Sequence, residues 1–101
     1  ASGPAYVFYF IEALERAARE LGLDAAGARR MAIGTFRGAA ELAARAAEGP
    51  ATLRERVTSK GGTTARALAA LQADRVDDAI VRAVRAASER ARELGDEFGR
   101  E

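Results

Sequence analysis

Alanine is the feature of this sequence that most limits what the chain can fold into. Of the 101 residues, 26 are alanine and only 23 are larger apolar residues, the two tyrosines included. Alanine favours helices but buries little apolar surface. A chain of this length is expected to be one domain, since compact domains usually contain about 100–150 residues. We therefore expect a helical domain whose core is thin for a solitary monomer.

The composition also excludes several kinds of chemistry. The chain contains no cysteine and no histidine, so it has no disulfide, no cysteine nucleophile and neither of the usual zinc ligands. We accordingly predict no metal site. Sixteen basic and fifteen acidic residues give a net charge of +1, so we expect neither nucleic acid nor an anionic membrane as a partner.

No apolar run is long enough to cross a bilayer. The longest, residues 5–11, is far shorter than the ~20 residues that a transmembrane helix needs, and no basic leader precedes it. We expect a soluble, cytoplasmic protein. Residues 1–4, Ala-Ser-Gly-Pro, resemble an interdomain joint, so we also expect the sequence to be part of a longer polypeptide.

Helix-capping residues divide the first half of the chain into two predicted helices. The first is expected to begin near Pro4, which suits a first helical turn, and to end before Gly22 at the C′ position. Residues 6–11 are all apolar and could form a buried strand, but the helix formers that follow favour a helix. Asp24 is the predicted N-cap of a second helix, which spans residue 25 to about residue 47.

Several side chains on these two helices are interpreted as structural. Gly34 and Gly38 would each cost about 1 kcal/mol relative to alanine in an exposed helix, so we interpret them as points of close helix–helix approach. Glu15 has an arginine at helical spacing, Arg19, which indicates a solvated ion pair rather than paired-carboxylate catalysis. Tyr9, like Tyr6, is interpreted as a packing residue with its hydroxyl near the edge.

The second half of the chain is also predicted to be helical, apart from one loop at residues 58–64. Pro50 is expected to open a short helix that turns Leu53 and Val57 toward the core. A helix follows the loop, and a last amphipathic helix is predicted to end near Gly95. The chain is thus predicted to be all-α, a helical bundle whose excess apolar surface is covered in an interleaved homodimer.

The loop at residues 58–64 is the one segment that points to a binding site. Its sequence, Thr-Ser-Lys-Gly-Gly-Thr-Thr, joins hydroxyls to a Gly-Gly pair and leads into a helix. A Gly-Gly turn lets backbone amides converge, and the first N–H groups of a helix have no intrahelical partners. Such a loop suits a carboxylate or a phosphate. Glycines for a turn and a threonine N-cap would, however, produce the same residues, and the spacing is neither that of a P-loop nor that of a dinucleotide-binding loop.

This loop and the residues around it resemble the signature of the pyrroline-5-carboxylate reductases. Residues 2–8, 12–14 and 83–95 are similar to the same family, so the resemblance covers nearly the whole chain. It implies that residues 1–101 are the family's C-terminal helical domain, which dimerises and binds substrate, without the N-terminal Rossmann domain. The residues that match the signature, in order, are Pro50, Leu53, Val57, Thr58, Ser59, Lys60, Gly61, Gly62, Thr63, Thr64, Ala67, Leu68 and Leu71.

The resemblance implies an enzyme that reduces 1-pyrroline-5-carboxylate to L-proline with NADPH or NADH, the last step of proline biosynthesis. It implies homodimers that often assemble into decamers, and a cofactor bound outside this chain, which alone should be inactive. By position, Thr64 would be catalytic, with its hydroxyl near the ring nitrogen. Many family members have proline where this chain has Lys60. The residues implied to bind substrate are Ser59, Gly61, Gly62, Thr63 and Thr64.

A second hypothesis, from another class of protein, is a non-catalytic helical dimerisation module, or a paralogue that kept the fold and lost the reductase activity. The sequence that precedes residue 1 in the parent protein would distinguish the two. A strand followed by G-x-G-x-x-G within about 160 residues would support the enzyme, since that is the length of a dinucleotide-binding half.

Overall fold

The computed structural model describes the backbone of residues 2–99 and the side chains of residues 2–96. Over that range the chain is made of α-helices and contains no strand, which confirms the all-α prediction. The helices are α1 (Gly3–Glu20), α2 (Ala25–Arg45), α3 (Pro50–Arg56), α4 (Thr63–Ala73) and α5 (Val76–Gly99). The chain divides into two compact units, Ala1–Arg54 and Glu55–Glu101.

The first unit is organised around the contact between α1 and α2. Ala18 of α1 and Ala28 and Ala32 of α2 are each about 1% exposed, and they form the buried core of the described residues. Because the distance between packed helices depends on the side chains at their contact, alanines let two helices approach closely. The thin core that the composition predicts is therefore a row of alanines.

Two further contacts join α1 to α2. The ring of Phe10 meets the ring of Phe36 edge-on, with 5.4 Å between centroids. Glu15, which is half-buried, forms an ion pair with Arg29 of α2 at 3.5 Å. The predicted partner, Arg19, was therefore wrong: the packing of α1 on α2 brings Arg29 to this carboxylate.

The turn between α1 and α2 confirms two sequence predictions. Gly22 has a φ of +107°, and its N–H donates to the carbonyl oxygen of Arg19 at 3.0 Å. The N–H of Leu23 donates to the carbonyl oxygen of Ala18 at 3.1 Å, which completes a Schellman motif. Asp24 then caps α2, since its Oδ1 atom accepts a hydrogen bond from the Gly27 N–H at 2.7 Å.

The second unit contains α4 and α5, which contact each other. Asp74 and Arg75 connect them, and Arg75 has a φ of +54° while its guanidinium donates two hydrogen bonds to Asp78, at 2.9 and 2.6 Å. Helix α5 continues to Gly99, four residues beyond the predicted end at Gly95. One glycine weakens a helix by about 1 kcal/mol, which is too little to end a helix of this length.

Much of the apolar surface is exposed in the single chain. Val57 lies beyond the end of α3 and is 65% exposed, so the prediction that it faces the core was wrong. Tyr9 is 78% exposed, and nothing described within this chain packs around it as predicted. A Cβ atom added at Gly34 or Gly38 would meet nothing within 4 Å, so among the described residues no other helix packs closely against them, contrary to the prediction. The other exposed large residues include Tyr6, Val7, Phe8, Phe10, Met31, Ile33, Leu42, Ile80, Val81 and Val84.

Across the described helices, none combines the length and the hydropathy that a membrane span requires.

Candidate functional site

Ser59 to Gly62 form a tight turn immediately before α4. The Gly62 N–H donates to the carbonyl oxygen of Ser59 at 3.0 Å, and Gly61 has a φ of +75°. The φ of Lys60 is not positive, which distinguishes a type II β-turn from its mirror-image forms. Lys60 is therefore the second residue of a type II turn, and Gly61 is the third.

The two glycines of this turn are required for different reasons. Gly61 takes the left-handed φ that the third position of a type II turn demands, where an L side chain is strained. Gly62 does not have a positive φ, but a Cβ there would lie 3.3 Å from the carbonyl oxygen of Ser59 and 3.4 Å from its Cβ atom. Gly62 thus allows the close approach of its own backbone to Ser59.

The turn leads into a helix that has no side-chain cap. Gly62 is the N-cap residue of α4, with extended backbone, and its carbonyl oxygen accepts the first helical hydrogen bond from Arg66 at 3.2 Å. The alternative interpretation, a threonine N-cap, is therefore wrong. The first turn of α4 also contains no acidic side chain. The amides that open α4 at Thr63 and Thr64 are thus left to solvent or to a ligand.

The structure brings the five predicted substrate-binding residues into one continuous turn and helix start. Ser59, Gly61, Thr63 and Thr64 are exposed, and Gly62 is half-buried. Converging amides at a helix N-terminus, with hydroxyl groups beside them, can hold a carboxylate or a phosphate. The geometry therefore suits a small anion, which is the class of ligand that the loop sequence indicates.

Among the described residues, neither the usual dinucleotide-binding loop nor a cluster of metal-ligating side chains is found. A dinucleotide-binding loop joins a strand to a helix, whereas residues 2–99 form helices without a strand. In the same part of the chain, no three acidic side chains come together as a group that could hold a metal ion.

A second concave feature, on α2, was not predicted from the sequence. An open groove of about 770 Å³ is lined by three arginines, Arg29, Arg30 and Arg37, together with Ile33, Gly34 and two alanines. The four-residue spacing of Arg29, Ile33 and Arg37 places them on one helix face. That spacing is the sequence pattern from which the groove could have been predicted. None of the predicted site residues lines this groove.

Comparison with known proteins finds similar families, sequences and structures. The family described as pyrroline-5-carboxylate reductase dimerisation matches residues 1–94. Pyrroline-5-carboxylate reductase 2 of Bacillus subtilis is 39% identical over 97 residues, which are 96% of this chain and 35% of that protein. The chain thus spans about a third of the length of the curated relatives that it matches.

Solved structures of similar proteins have the same fold. A pyrroline-5-carboxylate reductase from Coxiella burnetii superimposes with a TM-score of 0.89 at 40% identity, over 93% of this chain and 35% of that one. The pyrroline carboxylate reductase of Plasmodium falciparum, with NADP bound, gives a TM-score of 0.85 at 32% identity, over 87% of this chain and 35% of that one. The chain therefore belongs to the pyrroline-5-carboxylate reductase family, in which it is a dimerisation domain.

Proposed function

We propose that this chain is the dimerisation and substrate-binding part of an enzyme that reduces 1-pyrroline-5-carboxylate to L-proline with NADPH or NADH. The observation that carries the proposal is the type II turn at Ser59–Gly62, which opens into an uncapped α4 in a chain of this family. A substrate with one carboxylate suits a turn and helix start that offer backbone amides and hydroxyl groups as hydrogen-bond donors. We propose that Ser59, Gly61, Gly62, Thr63 and Thr64 bind that carboxylate.

The chemistry assigned to this chain is orientation and proton delivery. Reduction of a cyclic imine adds a hydride to the imine carbon and a proton to the ring nitrogen. With its carboxylate held at the start of α4, the substrate has one fixed end, and orientation of this kind lowers the barrier to reaction. We propose that the Thr64 hydroxyl lies beside the ring nitrogen and relays a proton to that nitrogen. Thr64 would then be the catalytic residue of this chain.

The hydride donor is proposed to be held by another part of the parent protein. When bound, NADPH or NADH supplies the hydride. Residues 2–99 contain no strand that could lead into a dinucleotide-binding loop, and the chain spans about a third of its relatives' length. We propose that a Rossmann domain precedes residues 1–101, which form the C-terminal domain. The solved relative from Plasmodium falciparum has NADP bound, which supports the choice of cofactor class.

A second copy of this chain is the partner that the exposed surfaces support. The buried core of the described residues is three alanines, while large apolar side chains on α1, α2 and α5 remain exposed. Monomeric soluble proteins rarely leave so much apolar surface uncovered. The match to a dimerisation family supports the same conclusion, and we propose an interleaved homodimer. Assembly into decamers and a cytoplasmic location stay predictions, as does the absence of a metal.

The direct test is oxidation of NADPH and of NADH by the full-length parent protein in the presence of 1-pyrroline-5-carboxylate. The 101-residue chain alone is the matched control, and it should give no turnover. Turnover by the parent, with L-proline as product, is the expected result. A folded parent that binds cofactor but does not turn over would contradict the proposal and favour the non-catalytic dimerisation module instead.

A further inference from the structure

Lys60 lies at a position where the backbone conformation favours proline rather than lysine. It is the second residue of the type II turn closed by the Gly62 N–H and the Ser59 carbonyl oxygen. Proline is favoured at this position because its fixed φ near −65° is the φ that the turn requires. A lysine there leaves the unfolded chain more freedom than a proline would, and that freedom is lost on folding. What lysine adds at this position, compared with proline, is its side chain and its positive charge.

The side chain of Lys60 adds a charge where the backbone is already positive. Lys60 is the chain's one lysine among sixteen basic residues. It is exposed, and within residues 2–96 the structure gives it no ion pair. The N-terminus of a helix carries about half a positive charge, and no acidic side chain in the first turn of α4 offsets it. The turn and the helix start thus form one positive surface.

We propose that the Lys60 ammonium group forms a second, charged contact with the carboxylate of the substrate. This inference rests on the proposed function, because it assigns a residue to the same site. Lys60 precedes Thr63 by three residues, in a turn that leads directly into α4, and its ammonium group is carried on a flexible four-carbon stem. This short separation along the chain and the length of the stem allow Nζ to approach an anion at the Thr63 and Thr64 amides. The contact raises affinity for substrate and leaves the proton-transfer step to Thr64.

The turn provides a variant that removes the charge and keeps the backbone. Lys60→Pro suits the second position of a type II turn, and among the described residues the Lys60 N–H donates no backbone hydrogen bond that proline would break. Lys60→Met removes the charge without restricting the backbone, and Lys60→Arg keeps the charge. Arg85→Met removes a positive charge from an exposed position on α5 and is the control for net charge.

The experiment measures kcat, the KM for 1-pyrroline-5-carboxylate and the KM for NADPH in the full-length parent, at low and at high salt. For Lys60→Pro and Lys60→Met we expect the substrate KM to rise about threefold to tenfold at low salt, as for loss of one partly exposed charged hydrogen bond. The kcat and the KM for NADPH should stay within about twofold. Lys60→Arg and Arg85→Met should match the wild type, and high salt should shrink the difference.

Three results would overturn the assignment. One is an unchanged substrate KM in both Lys60→Pro and Lys60→Met, and a second is a rise in the KM for NADPH in place of the substrate KM. An equal effect in Arg85→Met would also overturn it, since net charge alone would then account for the change. A wild-type parent that gives no turnover at all would overturn the proposed function itself. That failure is distinguishable from failure of the Lys60 assignment, because it is seen in the wild type without any variant.

Discussion

The amide of Gly62 and the carbonyl oxygen of Ser59 close the turn before α4 at 3.0 Å, and the same oxygen lies 3.3 Å from where a Cβ on Gly62 would be. The position of the Ser59 carbonyl oxygen thus closes the hydrogen bond of the turn, and it also leaves room only for glycine at the residue that caps α4. Any side chain at Gly62 has to push the Ser59 carbonyl away, and with it the turn that positions the amides of the proposed site.

We therefore expect Gly62→Ala to damage substrate binding more than it damages the fold. A shift of a few tenths of an ångström in Ser59 would move the turn relative to the first amides of α4, and misplacement of this kind should lower kcat/KM in the full-length parent about tenfold or more. Gly49→Ala is the matched control, since a Cβ at Gly49 meets nothing within 4 Å. Equal kcat/KM values for Gly62→Ala and Gly49→Ala would show that the turn does not position substrate.

Thr64 is the residue whose loss should most affect the chemical step. Thr64→Ala in the parent is expected to lower kcat/KM for 1-pyrroline-5-carboxylate about 10- to 100-fold, as for the loss of one or two oriented hydrogen bonds. Thr64→Ser keeps the hydroxyl and should retain most of the activity. The measurement is steady-state kinetics at saturating cofactor. An alanine variant as active as the wild type would remove Thr64 from the site.

Asp24 should contribute measurably to the stability of the chain. Its Oδ1 atom accepts the Gly27 N–H at 2.7 Å, and loss of such an N-cap costs about 1 kcal/mol. Asp24→Ala should lower the free energy of unfolding by that amount, measured by urea denaturation at one fixed chain concentration. Ser2→Ala is the comparison, because Ser2 occupies the N-cap position of α1 without a side-chain cap hydrogen bond. Equal losses from the two variants would contradict the cap assignment.

The ring contact between Phe10 and Phe36 can be measured separately from burial. The centroids are 5.4 Å apart and the ring planes meet at 67°, a geometry worth about 0.5–1.5 kcal/mol beyond the area buried. A double-mutant cycle with Phe10→Leu and Phe36→Leu should give a coupling free energy of that size in urea denaturation. Additive single-variant effects would mean that the rings act only by filling space.

The sequence predicts those parts of the fold that depend on local chemistry. Asp24 and Gly22 are an N-cap residue and a C′ glycine by residue type alone, and the structure confirms both roles. Helix α5 extends beyond its predicted end because a glycine such as Gly95 is only a weak terminator within a long helix. Contacts between helices were less predictable: the partner of Glu15 is Arg29, fourteen residues away, and only the packing of α1 on α2 reveals it.

The candidate site was predictable in its residues but not in its geometry. The order Ser59-Lys60-Gly61-Gly62-Thr63-Thr64 indicates a turn before a helix and an anion as ligand. It does not reveal that Gly62 rather than a threonine caps α4, since threonine is also a good N-cap residue. Nor does it separate the role of Gly61, which is its positive φ, from that of Gly62, which is its close approach to Ser59.

We propose that the chain completes its fold only against a second copy of itself. Sedimentation equilibrium of the 101-residue chain, over a range of micromolar concentrations, tests this most directly. We expect a mass of twice 10.6 kDa, because the described part of one chain buries only Ala18, Ala28 and Ala32. A helical, cooperatively unfolding species that sediments at 10.6 kDa throughout that range would contradict the claim.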